Sequence, residues 1–296
     1  MIMGDLRIIG LDDSVVTEEV ADVVAALGGC KASEVKTGAT PVSGVARTDI
    51  PPGPAPTRFA VFCASSRVRR IDTELGQEHC NLFNSWRTQN LLEQHVIELN
   101  AGICAISEPR HVPDNPFWHC STNRQAAVFW RPAGVTKTCS LIHRAQDFVV
   151  IRYGEISIIS CYISPNANRG DFLNFLDDLG VAIRGLDGRT IICGDYNSKS
   201  TLWGSPYTNA RGESIEEWAE NDLRLINTGT QPTCVRPQGS SIIDLTWSTA
   251  DVSSYIKDWK VLTDLETLSD HEYISMMIGG HDTNRNFDNK KSKYPR

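Results

Sequence analysis

A carboxylate and an amide follow an apolar run near the middle of this chain. The run Thr190–Cys193 ends at Gly194, and Asp195 and Asn197 come directly after it. A short apolar run bounded by a turn residue predicts a buried strand, and sites in layered α/β folds form where such strands end. The two side chains could hold a water molecule or a metal ion beside a phosphate. The alternative is a turn in which both bond only to the backbone.

Other polar residues also lie at the ends of predicted strands. They are Asn81, Glu108, Tyr162, Asp244, Asp270 and His271. Hydrolysis of a phosphodiester needs a hard divalent cation, a group that orients water and a donor for the leaving oxygen. Glu108 and Asn81 offer the oxygen ligands that Mg²⁺ prefers, and a carboxylate such as Asp244 could fix the tautomer of His271. Taken singly, each residue also has a purely structural interpretation, such as a turn carboxylate or a capping pair.

The elements that must position these residues follow from hydrophobic periodicity. Apolar residues at helical spacing predict helices from Thr88 to Leu99, over 171–179 and over 213–223. Continuous apolar runs predict strands at 103–106, 126–130, 148–153, 156–163, 190–193, 241–247, 259–262 and 273–278, with a hairpin at Gly154-Glu155. Many strands with interspersed helices predict an α/β (α+β) fold, a four-layer sandwich of two mixed β-sheets packed face to face with helices on the outside.

Composition divides the chain into four segments. We predict a small strand–helix segment at 1–36, a Pro-rich and largely disordered linker at 37–77, the main domain at 78–279 and a disordered polar tail at 280–296. The formal net charge of -7 is not that of a generally basic nucleic-acid binder. Binding to DNA would therefore depend on a local basic surface or on metal ions that offset carboxylates.

The cysteines and the apolar segments indicate a reducing, intracellular compartment. The nine cysteines form no Cys-x-x-Cys pair, and several lie in apolar runs, so we expect free thiols in a reducing compartment. The chain has no signal-peptide core and no run of the roughly 20 apolar residues that span a bilayer. We therefore expect an intracellular protein without a membrane partner.

The ordered motifs resemble a known family. Asn81, Ser107–Pro109, Ser160–Asn166, Gly194–Asn197, Ile243–Thr246 and Ser269–His271 are similar, in this order, to the motifs of the endonuclease/exonuclease/phosphatase superfamily. More narrowly, they resemble the apurinic-type endonuclease domain of LINE-type (non-LTR) retrotransposons. The resemblance covers residues 78–278, and residues 6–30 are similar to part of the gag-like protein of such elements.

The resemblance implies roles for these residues. Glu108 would bind Mg²⁺ or Mn²⁺, with Asn81 and Asp270 near the metal. Asp195 would orient or activate the attacking water, Asn197 and Tyr162 would hold the scissile phosphate, and His271 would contact the phosphate while bonded to Asp244. We also expect Lys199 and Arg211 to contact DNA. Trp203 follows the active-site loop, and we expect it to stack on DNA if its ring is exposed and to be a packing residue otherwise.

The family's activity defines the expected function. Such domains nick one strand of double-stranded DNA, and the freed 3′ hydroxyl then primes reverse transcription. The resemblance therefore implies a nuclear, monomeric DNA endonuclease without a clear protein partner.

Two departures from the family pattern keep alternatives open. The chain has His79 where the family often has Gln, and Lys199 where it commonly has His. The first could weaken metal binding, and the second could alter DNA contact. The alternatives are a catalytically impaired nucleic-acid-binding retroelement remnant and a phosphomonoesterase of the same fold.

Overall fold

A computed structural model describes residues 59–65, 77–220 and 222–279, with side chains from residue 86 onward. The predicted segments 1–36 and 280–296 lie outside the described residues, as do the side chains of His79 and Asn81. The strands are β1 (Phe59–Ser65), β2 (Ala101–Ser107), β3 (Trp118–Cys120), β4 (Ala126–Trp130), β5 (Cys139–Arg144), β6 (Phe148–Tyr153), β7 (Ile156–Tyr162), β8 (Thr190–Asp195), β9 (Leu223–Leu225), β10 (Cys234–Arg236), β11 (Gly239–Ser241), β12 (Asp244–Thr249), β13 (Ile256–Leu262) and β14 (Tyr273–Ile278). The α-helices are α1 (Gln77–Glu98), α2 (Arg169–Arg184), α3 (Ala210–Ala219) and α4 (Ala250–Ser253).

These strands form two large mixed sheets and a separate hairpin. Sheet I has the order β13-β14-β1-β2-β4-β3, and sheet II has the order β5-β6-β7-β8-β12-β9. Each large sheet contains one parallel pair, β1 with β2 in sheet I and β7 with β8 in sheet II, among antiparallel pairs. Strands β10 and β11 form a separate two-stranded sheet, and an isolated β-bridge joins Cys234 of β10 to His271.

Three apolar clusters separate four layers. Strand residues alternate between the faces of a sheet, so Ile103 lies in the cluster between the two sheets while its neighbour Cys104 lies in the cluster shared with α1. In sheet II, Ile191 packs between the sheets and Ile192 packs in the cluster that α2 and α3 cover. The predicted four-layer sandwich is therefore confirmed.

Most predicted elements are present, but two boundaries differ. Strand β1 lies inside the range 37–77 that the sequence predicts to be linker, and it pairs with both β2 and β14. The main domain therefore begins by residue 59 rather than at residue 78. Helix α1 begins at Gln77 rather than at Thr88, whose buried hydroxyl donates to the Leu268 carbonyl at 3.2 Å.

One glycine allows the close approach of two strands that carry site residues. A Cβ atom at Gly194 would lie 2.2 Å from the Cys161 carbonyl oxygen and 2.4 Å from its Sγ. Real Cβ atoms do not approach this closely, so only glycine fits here without displacing β7 from β8. Gly194 thereby keeps the ends of both strands, Tyr162 and Asp195, in register.

The thiols of the described cysteines agree with the sequence-based expectation. Cys104, Cys120, Cys139, Cys161, Cys193 and Cys234 are all buried and free. Within the described part of the chain, no helix has both the length and the apolar character to cross a bilayer.

Candidate active site

Three neighbouring strands of sheet II place three polar side chains in a row. Tyr162 ends β7, Asp195 ends β8, and Asp244 begins β12, and the register pairs Asp195 with both of the others. The Thr233 hydroxyl fixes the start of β12 by accepting the backbone N–H of Ile243 and of Asp244, each at 3.1 Å. Sheet II therefore holds this row on rigid backbone.

Sheet I brings two further residues to the same edge. Glu108 directly follows β2 with a left-handed φ of 49°, and its backbone N–H donates to the Gln125 carbonyl at 2.7 Å. The Tyr162 hydroxyl donates to Glu108 Oε1 at 2.7 Å, which joins the two sheets across the site. His271 precedes β14 and reaches Asp244 in the other sheet.

Asp195 is the most deeply buried carboxylate of the row, at 1% exposed. Its Oδ1 accepts the backbone N–H of Asn197 at 2.9 Å, and its Oδ2 accepts the Asn197 amide at 3.0 Å. The same amide also donates to the Ile163 carbonyl at 3.1 Å, and Asn197 has a left-handed φ of 46°. The sequence allowed either a site or a turn at Asp195 and Asn197. The turn is present, and its bonds hold both side chains in the site.

His271 and Asp244 form a buried dyad. The Nδ1 atom of His271 lies 2.9 Å and 3.1 Å from the two carboxylate oxygens of Asp244, so Nδ1 carries the shared proton. The Nε2 atom lies 4.0 Å from Asp195 Oδ2 and has no hydrogen-bond partner among the described residues. Nε2 is therefore directed toward Asp195 and is available to a substrate oxygen.

The charges at this site are strongly coupled. Burial raises the pKa of Asp195 to about 7, and the Asp244 carboxylate and Glu108 add to this rise. Burial alone would lower the pKa of His271. The charge and hydrogen bond of Asp244, together with Cys234 and Asp195, outweigh it and raise that pKa well above its ordinary value. The site thus holds more negative charge than its own groups neutralise, a condition that an added cation would relieve.

The donor set suits a divalent cation. Asp195, Asp244 and His271 each offer a ligand atom, and these atoms all lie within 4.8 Å of one another. Because Asp244 already engages His271, the oxygen donors left to a hard cation are those of Asp195 and the adjacent Glu108. Asn81 lies in α1, but its side chain is outside the described residues.

Asp270 has a different neighbour from the one predicted. Its Oδ2 lies 3.2 Å from Nε of Arg236, on the β10–β11 hairpin, and the two form an ion pair. No signal in the sequence identifies Arg236 or Thr233, because both depend on how the hairpin is bonded to the turn that precedes β14. The placement of Asp270 near a metal stays a prediction.

The residues predicted to contact DNA lie in different environments. Trp203 is 3% exposed and packs edge-on against Trp247, with ring centroids 6.3 Å apart. This position corrects the prediction that Trp203 stacks on DNA, because the ring belongs to the core under α3. Lys199 is half-buried, and its Nζ lies 5.3 Å from the centre of the exposed Tyr207 ring. Its contact with DNA stays a prediction.

Arg211 holds a loop beside the site. Its guanidinium donates to the backbone carbonyls of Ser164 at 3.0 Å, Pro165 at 3.2 Å and Ala167 at 2.6 Å. It also lies over the Phe172 ring, 4.8 Å from the centroid. These contacts give Arg211 a structural role, and its predicted contact with DNA is untested.

A cavity of about 570 Å³ opens beside Glu108 and Tyr162. None of its lining residues is basic. Its other polar lining residues carry amides, carboxylates and one hydroxyl: Asn123, Gln125, Gln146, Asp147, Ser164, Asp171, Asn174 and Asp178. The cavity could not be predicted from the sequence, because its walls come from segments that are far apart in the chain.

Comparison with known proteins shows what this chain is similar to. A family model described as endonuclease-reverse transcriptase matches residues 156–275, from the start of β7 into β14. No curated protein matches the chain. The endonuclease domain of TRAS1, a telomere-specific non-LTR retrotransposon, has a similar structure, with a TM-score of 0.58 and 23% identity over 75% of this chain and 98% of that one.

Two AP endonucleases share the same fold. LMAP from Leishmania major is 11% identical with a TM-score of 0.57, covering 76% of this chain and 89% of its own. An enzyme from Archaeoglobus fulgidus is 12% identical with a TM-score of 0.53, covering 74% of this chain and 99% of its own. The matched segment and the shared fold confirm the resemblance of this chain to the endonuclease/exonuclease/phosphatase superfamily and, within it, to the endonuclease domain of non-LTR retrotransposons.

Proposed function

We propose that this chain is a Mg²⁺- or Mn²⁺-dependent endonuclease that nicks one strand of double-stranded DNA. The observation that carries the proposal is the convergence of Glu108, Tyr162, Asp195, Asp244 and His271 from two sheets on one edge of the sandwich. The retrotransposon and AP endonucleases that share the fold support a nucleic-acid substrate.

The protein groups divide the work of hydrolysis among them. Asp195, with a pKa near 7, can accept a proton from the attacking water at neutral pH. His271, held by Asp244 through Nδ1, presents Nε2–H to a phosphate oxygen and stabilises the negative charge that develops there. The hydroxyl of Tyr162 and the amide of Asn197 lie beside them. They donate to Glu108 and Asp195 in this structure, and we expect both to turn to the scissile phosphate when it binds.

Glu108 and Asp195 are the residues that would hold the cation. When bound, the cation would neutralise oxyanion charge on the phosphate and lower the pKa of its water. Burial of Asp195 near the carboxylates of Asp244 and Glu108, which raises its pKa, favours this occupancy. Tyr162 orients Glu108 by donating to its Oε1.

The wider biological role follows from the same resemblance. We infer that the nick supplies a 3′ hydroxyl for primed reverse transcription. This role would require the chain to act on genomic DNA in the nucleus, and we expect it to act there as a monomer. Lys199 is the residue that we expect to approach the DNA backbone, because it is a cationic side chain that is half-buried only four residues after Asp195.

A plasmid assay tests the proposal. Supercoiled DNA incubated with the full chain and Mg²⁺ should become nicked circles, and EDTA should abolish the conversion. Asp195→Asn should lower the rate at least about a hundredfold, because it removes the proton acceptor. Asp187→Asn is the matched control, since Asp187 is exposed and lies at the opposite end of β8.

The outcomes separate the proposal from its alternatives. Nicking by the wild-type chain that does not exceed the Asp195→Asn rate would reject the enzyme and favour a nucleic-acid-binding remnant. Faster release of phosphate from small phosphomonoesters than nicking of plasmid would favour a phosphomonoesterase.

A further inference from the structure

An ion pair lies directly beside the catalytic histidine. Arg236 is the last residue of β10, and its Nε lies 3.2 Å from Oδ2 of Asp270, the residue that precedes His271. The side chain of Asp270 is 12% exposed and that of Arg236 is 34% exposed. The pair is therefore partly withdrawn from water, where charge pairing is stronger than at the surface.

The pair is joined by only one of the two contacts it could make. Arginine and carboxylate commonly pair through two parallel N–H···O bonds. Here Nη2 of Arg236 and Oδ1 of Asp270 are both buried, and neither has a hydrogen-bond partner among the described residues. The Asp270 carboxylate is therefore already in contact with a positive charge, the guanidinium of Arg236.

The hairpin strand that carries Arg236 is bonded to the turn that carries His271. Cys234 forms a β-bridge with His271, and the Val235 backbone N–H donates to the Asp270 carbonyl at 2.7 Å. The Glu272 N–H donates to the Thr233 carbonyl at 2.8 Å. A change in how β10 is held would therefore move His271 directly.

We propose that Arg236 is a positioning residue that holds His271 through Asp270, and that its guanidinium serves Asp270 in the place of a metal ion. The Arg236–Asp270 pair then fixes the backbone on the N-terminal side of His271, while Asp244 fixes its ring. Asp270 is on this view not a metal ligand. The proposal rests on the proposed nuclease function for its kinetic test but not for its structural tests.

The kinetic test compares Arg236→Ala, Arg236→Lys and Arg189→Ala in the full chain. Arg189 is the matched control because its Nη1 also lies 3.2 Å from a carboxylate oxygen, that of Glu155, on an exposed surface. Arg236→Ala should lower kcat for nicking by about ten- to a hundredfold with little change in KM, because it misplaces His271. Arg236→Lys should recover part of kcat, and Arg189→Ala should leave both constants unchanged.

A different pattern would overturn the proposal. If Arg236 instead contacted DNA, Arg236→Ala would raise KM and reduce the salt dependence of binding, with kcat retained. Equal losses in Arg236→Ala and Arg189→Ala would likewise show that the pair next to His271 has no special role. Unfolding curves of each variant establish that the compared chains are folded, and Arg236→Lys keeps the test valid where the alanine variant does not fold.

Two measurements do not depend on nuclease activity. The number of Mn²⁺ ions bound, counted by electron paramagnetic resonance of free Mn²⁺, should be the same for the wild type and Asp270→Asn. Loss of one bound ion in Asp270→Asn would overturn the proposal. The ring ¹⁵N resonances of His271 should shift in Arg236→Ala, return toward the wild type in Arg236→Lys and stay in place in Arg189→Ala. Unchanged resonances in Arg236→Ala would also overturn it, even in a chain that cuts no DNA.

Discussion

At the scale of single residues, the site combines groups whose charges oppose one another. Asp195 is surrounded by apolar core and by the carboxylates of Asp244 and Glu108, and only His271 supplies a positive charge within this group. Such an arrangement costs folding free energy unless a ligand neutralises it. The site residues should therefore be a source of instability in the metal-free protein.

This cost should depend on pH in a definite direction. The pKa of Asp195 rises from its ordinary 3.8 to about 7 in the folded protein, so the folded state binds more protons than the unfolded state between these values. The stability that protonated Asp195 contributes is present below pH 3.8 and is lost as pH rises through about 7. Asp195→Asn should therefore raise the free energy of unfolding at pH 8 by about 2 kcal/mol, and by less at pH 5.

Urea denaturation in EDTA at the two pH values measures this effect. Asp187→Asn serves again as the control and should change the free energy of unfolding little at either pH. An Asp195→Asn chain that is less stable than the wild type at pH 8 would contradict the prediction. It would mean that the two bonds from Asn197 outweigh the cost of burying the charge.

Side chains next to strand ends can be predicted from the sequence, whereas the orientation of an individual side chain cannot. Asp195, Asp244 and His271 were identified because each lies next to a strand end, which is a local pattern. The position of Trp203 after the active-site loop predicts stacking on DNA if the ring is exposed, yet the ring lies under α3 and against Trp247. Whether a side chain faces the core or the solvent depends on packing partners that its own neighbourhood in the sequence does not contain.

At the scale of elements, local signals again determined what could be predicted. Strand β14 was predicted with its exact bounds, and the β6–β7 hairpin was predicted from Gly154-Glu155, because an apolar run and a turn residue are readable in place. Strand β1 was missed because it follows a Pro-rich stretch and has its partners in β2 and β14, far along the chain. Short strands such as β10 are stabilised by their pairing rather than by their own composition.

The β7–β8 contact offers a prediction at this scale. Gly194→Ala would force a Cβ atom against the backbone carbonyl of Cys161, and backbone in the middle of a sheet cannot move aside cheaply. We expect a loss of at least about 2 kcal/mol in the free energy of unfolding, measured by urea denaturation, from overpacking. Nicking should also decrease, since Tyr162 and Asp195 would lose their register.

A second glycine gives the matched control. An added Cβ at Gly185, which follows α2, would meet its nearest atom, the Ala182 carbonyl oxygen, at an ordinary 3.4 Å. Gly185→Ala should therefore leave stability and nicking close to the wild type. A Gly194→Ala chain as stable as Gly185→Ala would show that β7 and β8 can separate without cost.

At the scale of the whole molecule, the site exists only because two sheets meet. Sheet I contributes Glu108 and His271, sheet II contributes Tyr162, Asp195 and Asp244, and the Tyr162–Glu108 and His271–Asp244 bonds cross between them. The order of motifs in the sequence indicated that these residues belong together. Their distances could not be predicted, because they depend on the packing of the core between the sheets.

Strand β1 joins the two parts of sheet I. It lies between β14 and β2, so its removal would divide sheet I into the pair β13–β14 and the group β2-β4-β3. We predict that a chain beginning at residue 54 folds, whereas a chain beginning at residue 78, the boundary that the sequence suggested, does not. The exposed edges of β14 and β2 would favour aggregation.

Urea denaturation followed by circular dichroism distinguishes the two chains. The longer one should unfold in a single cooperative transition, and the shorter one should lack both that transition and the near-ultraviolet signal of packed aromatic rings. Cooperative unfolding of the shorter chain with an equal m-value would contradict the prediction. Because β14 leads directly back to His271, we expect the shorter chain to lose metal-dependent nicking even where part of sheet II persists.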